Sequence, residues 1–155
     1  MTGRTLRLVA LCIMTCSCAQ PRLDEFRPSV QAATQNFADA INRGDSVAMA
    51  ALYLHDPRVS TASDGTLADG WDSVRVDLDE VASGREGHFH IVLGSIKAAP
   101  LGREHALVVA PFGLTVVSPT GESKFRGVMT LVLERAGSGW LILHDHESFV
   151  PKHRP

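Results

Sequence analysis

The sequence GWLILHDHES occupies residues 139–148, near the end of the 155-residue chain. It follows a Gly-Ser-Gly turn signal and is rich in apolar residues, so a β-strand is predicted from Gly139 to Val150. Residues i and i+2 of a strand point to the same side of the sheet. The residues predicted to share one face of this strand are Trp140, Ile142, His144, His146 and Ser148.

Three more β-rich segments precede this strand, at residues 88–97, 104–117 and 123–135. Turn signals separate them, with Pro-Leu-Gly at 100–102 and Pro-Thr-Gly at 119–121. Because the links are short, consecutive strands are predicted to pair as an antiparallel meander.

The first half of the chain has a helical period instead. Apolar residues recur at helical spacing over residues 29–43, 46–54 and 71–83. A short strand at 58–62 and a return strand that starts at Leu67 are predicted between the second and third helices. Helices followed by a long sheet predict one α+β domain.

The composition is that of an ordinary folded domain. Hydrophobic residues make up 45% of the chain, charged residues make up 21%, and the formal net charge is -2. This balance argues against nucleic acid as a partner, because nucleic-acid binders usually have a basic excess. No apolar run approaches the roughly 18 residues that a membrane-spanning helix needs.

Two motifs resemble the nuclear-transport-factor-2-like (NTF2-like) superfamily, in its SnoaL-like and ketosteroid-isomerase-like branch. The sequence QNFADAINRGD at residues 35–45, with ALYLHD at 51–56, is similar to the end of the family's opening helix and the segment after that helix. Residues 139–148 are similar to the family's final strand. The resemblance covers residues 28–150.

The resemblance implies a cone-shaped α+β fold. A strongly bent antiparallel sheet would wrap three N-terminal helices and leave an apolar pocket at the open end. The other face of the sheet commonly forms a homodimer in this family, so a homodimer is expected.

The resemblance also locates the positions that catalyse ketosteroid isomerisation, and these positions are altered. The tyrosine on the first helix corresponds to Phe37, which has no hydrogen-bond donor. The general base falls near Ser60 or Thr61, and neither is a useful base. Asp64 lies in the same region but is predicted to be a turn residue. Steroid-type isomerisation is therefore not expected, and enzymatic activity is left open.

Histidines of the last strand are the remaining candidates for chemistry. His146, with His144, is the candidate catalytic residue, since a histidine in the pocket could move protons near neutral pH. The alternative is that His146 and Ser148 hydrogen-bond each other or the backbone and only fix the strand end. The candidate ligand-binding residues are Tyr53, Trp71, Thr61, Ser148 and Trp140, although Tyr53 and Trp71 are equally well explained as core residues.

A metal site is not expected, although the chain has a second His-x-His pair. In a meander His88 and His90 lie three strands from His144, roughly 14 Å at about 4.8 Å per strand. That separation is too large for one ion, so neither a metal nor another cofactor is predicted.

These observations favour a cell-envelope SnoaL-like protein whose apolar pocket binds a small organic ligand. A weak lyase or isomerase that uses a pocket histidine is the alternative. A second alternative is a non-catalytic, homodimeric interaction domain.

The three cysteines all lie in the first twenty residues. Residues 1–18 resemble a bacterial lipoprotein signal peptide, with Arg4 and Arg7 before the apolar residues 8–14. Cys18 comes directly after the small Ser17 and is the predicted lipidation site. Simple cleavage after residue 19 also fits.

A lipidated Cys18 would make the protein a periplasmic, outer-membrane lipoprotein that contacts the membrane only through its anchor. Residues 19–27 would form a tether, and residues 151–155 a C-terminal tail. The folded part would then contain no cysteine, because all three lie at or before Cys18.

Metabolic labelling with palmitate tests the anchor. The wild-type chain expressed in a bacterium is expected to incorporate the label, Cys18→Ser to lose it, and Cys16→Ser to keep it. If the wild-type chain is not labelled, the lipid anchor at Cys18 is wrong, and secretion with simple cleavage is the interpretation that remains.

Overall fold

The computed structural model describes residues 23–150. Three helices come first, interrupted by a hairpin: α1 (Leu23–Arg43), α2 (Ser46–Ala50) and α3 (Trp71–Ser83), with β1 (Ser60–Ser63) and β2 (Thr66–Asp69) between α2 and α3. The other five strands are β3 (His88–Leu93), β4 (Lys97–Leu101), β5 (His105–Ser118), β6 (Gly121–Ala136) and β7 (Gly139–Phe149). The predicted α+β organisation is confirmed.

The seven strands form one mixed sheet in the order β2-β1-β7-β6-β5-β3. The long strand β5 pairs with β4 along its first part and with β3 along its second part. The chain turns between these two partners at Gly94, whose N–H donates to the Pro111 carbonyl at 2.7 Å. The strongly bent sheet encloses the helices on its concave side.

The meander prediction is correct for β5, β6 and β7, and β3 also pairs antiparallel with β5. The sheet as a whole is mixed rather than antiparallel because of β1, for which no partner in the meander was predicted. Strand β1 pairs in parallel with β7, with Ser60 opposite His144. The predicted strand 88–97 is two strands, and Pro100 lies in β4 rather than in a turn. The turn comes later, at Gly102, whose φ of 74° suits glycine.

Helix α1 packs its apolar face into the bent sheet. The buried side chains Phe26, Val30, Phe37 and Ile41 recur at helical spacing along that face. They meet the inward side chains of β5 and β6, such as Val108 and Leu131, in one continuous core.

The helix begins at Leu23, six residues before the predicted start, and Pro28 lies inside it. The last residues of the predicted tether are therefore helical. Packing stabilises this extra turn: the Phe26 ring meets Trp140 edge-on at 5.6 Å, and the Trp140 indole N–H donates to the Ser29 hydroxyl at 3.0 Å.

None of the helices within residues 23–150 is long and apolar enough to cross a membrane.

Helix α2 ends four residues before its predicted end. Residues 52–54 run beside β7 instead, where the Ile142 N–H donates to the Leu52 carbonyl at 2.7 Å and the Leu54 N–H donates to the Ile142 carbonyl at 3.0 Å. Tyr53 is thereby bridged in parallel to Ile142. This extended segment holds Tyr53 at the base of the concave surface.

Strand β7 contains a β-bulge at Leu143. On one side of the bulge Ile142 pairs with Leu133, and on the other side His144 pairs with Val132, so Leu143 is an extra residue in β7. A one-residue insertion exchanges the two faces of a strand beyond it. Trp140 and Ile142 face inward before the bulge, and Asp145 faces inward after it.

Gly127 on β6, which pairs with Phe112, tests the packing of the concave surface, and Gly113, the residue after Phe112 on β5, is the control. A Cβ at Gly127 would overlap the Ser148 carbonyl and come within 2.7 Å of the Phe112 ring, whereas a Cβ at Gly113 has open space. Gly127→Ala is therefore expected to lower the free energy of unfolding by about 1–3 kcal/mol. Gly113→Ala should be neutral or stabilising by up to about 1 kcal/mol. Urea denaturation measures both, and equal effects would contradict this packing.

Candidate functional site

A cavity of about 610 Å³ lies between the helices and the concave face of the sheet. Its apolar wall comes from α1, β3, β5 and β6. The main apolar side chains of this wall are Phe37, Ile41, Phe89, Ile91, Phe112 and Leu114. The predicted pocket is thus present, and its volume lies in the range of about 300–1,000 Å³ that is typical of ligand sites.

The polar part of the cavity is centred on Tyr53 and Asp145. The Tyr53 hydroxyl donates to Asp145 Oδ2 at 3.0 Å, and both side chains are buried. The other carboxyl oxygen, Asp145 Oδ1, is buried and has no hydrogen-bond partner within the described residues. Buried carboxyl oxygens normally have a hydrogen-bond partner. Because Asp145 Oδ1 has none in the described chain, it can accept a hydrogen bond from a molecule in the cavity.

Glu147 lies two residues further along β7 and also lines the cavity. Burial and, to a smaller extent, the charge of the nearby Asp64 together raise the pKa of Glu147 to about 7. Burial, together with the smaller effect of the Glu147 charge, holds the pKa of Asp145 well above its usual range, although the Tyr53 hydrogen bond opposes this. Burial and Asp145 likewise raise the pKa of Tyr53, so Tyr53 stays a hydrogen-bond donor at neutral pH.

The bulge at Leu143 overturns the predicted placement of the β7 histidines. Because it exchanges the faces, His144, His146 and Ser148 lie on the outer side of the sheet, and none of them lines the cavity.

Each of these three outer residues has a structural setting of its own. His144 Nδ1 is 2.9 Å from the Ser60 hydroxyl. The Ser148 hydroxyl donates to the Val128 carbonyl at 3.3 Å. His146 is exposed. The prediction of a pocket histidine is therefore corrected.

Two of the predicted ligand-binding residues line the cavity and two others do not. Tyr53 and Thr61 line it, and the Thr61 hydroxyl is 3.4 Å from Asp77 Oδ2. Trp140 packs against α1, outside the cavity. Trp71 stacks on His55 with ring centroids 3.9 Å apart and is also outside it. Cys18 lies outside the described residues.

The first-helix position occupied by Phe37 lines the cavity without supplying a hydroxyl. The Phe37 ring packs edge-on against Tyr53, with ring centroids 5.8 Å apart. The hydroxyl group comes instead from Tyr53, on the extended segment beside β7. Asp64, predicted to be a turn residue, is in the β1–β2 turn with φ 47° and also lines the cavity.

The acidic residues of β7 are the functional candidates that sequence reasoning missed. Regular alternation places Asp145 and Glu147 on the face opposite Trp140 and Ile142, and the bulge that reverses them leaves no clear mark in the sequence. The available signal was the segment His-Asp-His-Glu itself, because either of its two alternating pairs could face a pocket.

The two His-x-His pairs are far apart, as predicted. His88 and His90 lie on β3, which is separated from β7 by β5 and β6.

This arrangement can bind polar groups and hold a proton. A carboxyl group with a pKa of about 7, such as Glu147, can accept or release a proton at neutral pH. Asp145 can present either a charged oxygen or, when protonated, a hydrogen-bond donor. These groups lie in a cavity whose largest lining side chains, from α1, β3, β5 and β6, are apolar.

The fold and the cavity define an NTF2-like cone with an internal, ligand-sized site. Residues 30–152 match the family model of the SnoaL-like domain, and the chain belongs to that family within the NTF2-like superfamily. The resemblance inferred from the motifs is therefore confirmed. A search of curated protein sequences finds no significant match.

Solved structures share the fold at low sequence identity. An NTF2-like superfamily protein from Salmonella enterica serovar Typhimurium aligns with TM-score 0.72 at 16% identity, over 82% of this chain and 92% of that one. An NTF2-like family protein from Streptomyces avermitilis, suggested to be a dehydratase, aligns with TM-score 0.73 at 20% identity, over 82% and 97% of the two chains. An NTF2-like protein of unknown function from Shewanella oneidensis has 25% identity and TM-score 0.62, over 78% and 97%.

The raised pKa of Glu147 predicts a pH-dependent loss of stability. The unfolded chain ionises this group from about pH 4.5, whereas the folded chain resists ionisation until about pH 7. Folding is therefore penalised progressively across this window and by a constant amount above it. Glu147→Gln should match the wild type at pH 4 and be more stable by about 2–3 kcal/mol at pH 8.

Denaturant unfolding at both pH values measures this difference. Glu122→Gln, at an exposed position of β6 that does not line the cavity, is the control and should change stability by less than about 0.5 kcal/mol. An effect of Glu147→Gln that is the same at both pH values would contradict the raised pKa.

Proposed function

We propose that this SnoaL-like protein binds a small organic molecule in the cavity, with the polar group of the ligand directed to Tyr53, Asp145 and Glu147. The observation that supports this most is Asp145 Oδ1, which is buried beside a cavity of about 610 Å³ and has no partner in residues 23–150. An unsatisfied buried carboxyl group is destabilising, so its presence beside the cavity favours a role in binding.

The walls of the cavity agree with an organic ligand that is largely apolar. Aromatic rings from three strands line the cavity: Phe89 on β3, Phe112 on β5 and Phe125 on β6. Sites of this kind surround most of a ligand with apolar surface and orient it with a few polar groups.

We also propose the cell-envelope location and the homodimer expected from the sequence. The residues that support the location are the signal-like segment 1–18 and Cys18. Exposed valines on the outer face of the sheet support the dimer: Val92, Val117 and Val128 are 59%, 47% and 42% exposed. Apolar side chains on one open face of a sheet favour association.

Filling the cavity should abolish binding. Val81 on α3 lines the cavity, whereas Val76 on the same helix is 56% exposed and does not. Val81→Trp is expected to weaken binding of the neutral apolar dye Nile red at least tenfold, because the indole would occupy ligand space. Val76→Trp is the matched control and should bind like the wild type. Dye fluorescence measures binding, and far-UV circular dichroism checks the fold.

His146→Ala is a second control, since His146 lies on the opposite side of the sheet. It should bind the dye like the wild type. Unchanged binding by folded Val81→Trp, or weakened binding by His146→Ala, would contradict a ligand site in this cavity.

A further inference from the structure

The ionisable side chains that line the cavity are all acidic apart from the Tyr53 phenol. No lysine, arginine or histidine from residues 23–150 lines it. Six carboxyl groups do, and they belong to Asp64, Asp77, Glu80, Glu86, Asp145 and Glu147. Of these six, only Glu80 has an ion-pair partner in the described chain, namely Arg85 at 3.3 Å. The site therefore has an excess of acidic groups that no cation of the described chain lining the cavity balances; Asp145 is buried, whereas Asp64, Glu80 and Glu86 are exposed.

Four of these carboxyl groups come from neighbouring elements of the fold. Asp145 and Glu147 come from β7, and Asp64 comes from the turn between β1 and β2. Strand β1 pairs with β7, with Thr61 opposite Asp145 and Ser63 opposite Glu147. The three acidic side chains are thus brought together by adjacent strands, and α3 adds Asp77 opposite Thr61.

Asp145 supplies an observation that is independent of this clustering. Its side chain is buried, lines the cavity and leaves Oδ1 without a partner in the described chain, although Tyr53 satisfies Oδ2. A hydrogen-bond donor on a bound ligand would supply the partner that Asp145 Oδ1 lacks. A positively charged donor would satisfy it best, because hydrogen bonds between oppositely charged groups are stronger than neutral ones.

The arrangement does not suit a metal ion. No group of three or more histidine, cysteine or acidic side chains within the described residues converges closely enough to hold one. The opposite wall is also unlike a metal site, since Phe89, Phe112 and Phe125 present rings to the same cavity. Aromatic faces attract organic cations and cover their apolar parts.

We propose that the ligand of this cavity is an organic ammonium compound, whose charged nitrogen binds at Asp145 and Glu147 and whose apolar body packs against the aromatic wall. This inference rests on the proposed function and specifies the chemical class of the ligand.

Binding of such a cation should depend on pH. Asp64 from the β1–β2 turn, Asp145 from β7 and the Tyr53 phenol interact with Glu147, and Asp77 from α3 acts on Tyr53 in the same site. None of these groups is a cation. Asp145 and Glu147 together therefore retain a proton near neutral pH. An ammonium group would displace that proton into solvent, and its affinity should therefore rise as the pH increases through about 7.

Three probes of similar size and different charge test the inference on the wild-type protein. They are 2-(1-naphthyl)ethylamine, 2-(1-naphthyl)ethanol and 1-naphthylacetate, compared by isothermal titration calorimetry. At pH 8 the amine is expected to bind at least tenfold more tightly than the alcohol, and the carboxylate to bind most weakly. From pH 8 to pH 5.5 amine affinity should fall about tenfold, while alcohol affinity stays within about twofold.

Variants identify the groups responsible. Asp145→Asn and Glu147→Gln should each lower amine affinity at pH 8 at least tenfold and lower alcohol affinity by a much smaller factor, because only the amine loses a partner of opposite charge. Glu122→Gln removes the same charge from the exposed part of β6 and should leave both affinities unchanged. Two cavity variants are used so that a folding defect in one of them does not decide the result.

The outcomes separate this inference from the proposed function. If the alcohol binds as tightly as the amine, or if Nile red binds in the cavity and the amine does not, the cationic ligand class is wrong and the binding function stands. If Nile red binding is unaffected by Val81→Trp and no probe binds, the proposed function fails as well.

Discussion

The β-bulge at Leu143 determines which side chains of β7 enter the cavity. Before the bulge, β7 contributes Trp140 and Ile142 to the core, where they pack against α1 and the segment around Tyr53. After the bulge, the inward positions are Asp145, Glu147 and Phe149, all of which line the cavity. Without the extra residue, the inward face would continue with His144 and His146, and the site would contain imidazoles instead of carboxyl groups.

Burying these carboxyl groups makes the site a destabilised part of the fold. A buried acid resists ionisation, which is why the pKa values of Asp145 and Glu147 are raised. The surrounding core provides compensating packing: Met129 and Leu131, next to β7 in the sheet, are fully buried. A stable scaffold therefore supports a polar site that would be unfavourable by itself, as is common at functional sites.

The sequence predicted most of the fold because the relevant signals were local. Helix α3 was predicted with the bounds that the structure has, since its apolar face and the glycine after it both lie within or next to the segment. The errors required non-local information. The start of α1 depends on Phe26 meeting Trp140 more than one hundred residues away, and the parallel pairing of β1 with β7 joins segments with no shared sequence signal. The site was predicted less well, because a single bulge inverted the faces of the strand that supplies its acidic groups.

The position of Tyr53 shows how the same fold can hold a different site. By the motif resemblance, Phe37 stands at the helix position that carries a tyrosine in ketosteroid isomerases, and its ring packs on Tyr53. The hydroxyl group is thus moved from the helix to the segment beside β7, where it donates to Asp145. In this place it cannot act as an isolated donor to a ligand oxygen, because its hydrogen already serves the carboxyl group. The hydrogen-bond acceptor that remains for a ligand is Asp145 Oδ1. Because further carboxyl groups lie around this oxygen, a ligand donor that bears a positive charge is favoured over a neutral one.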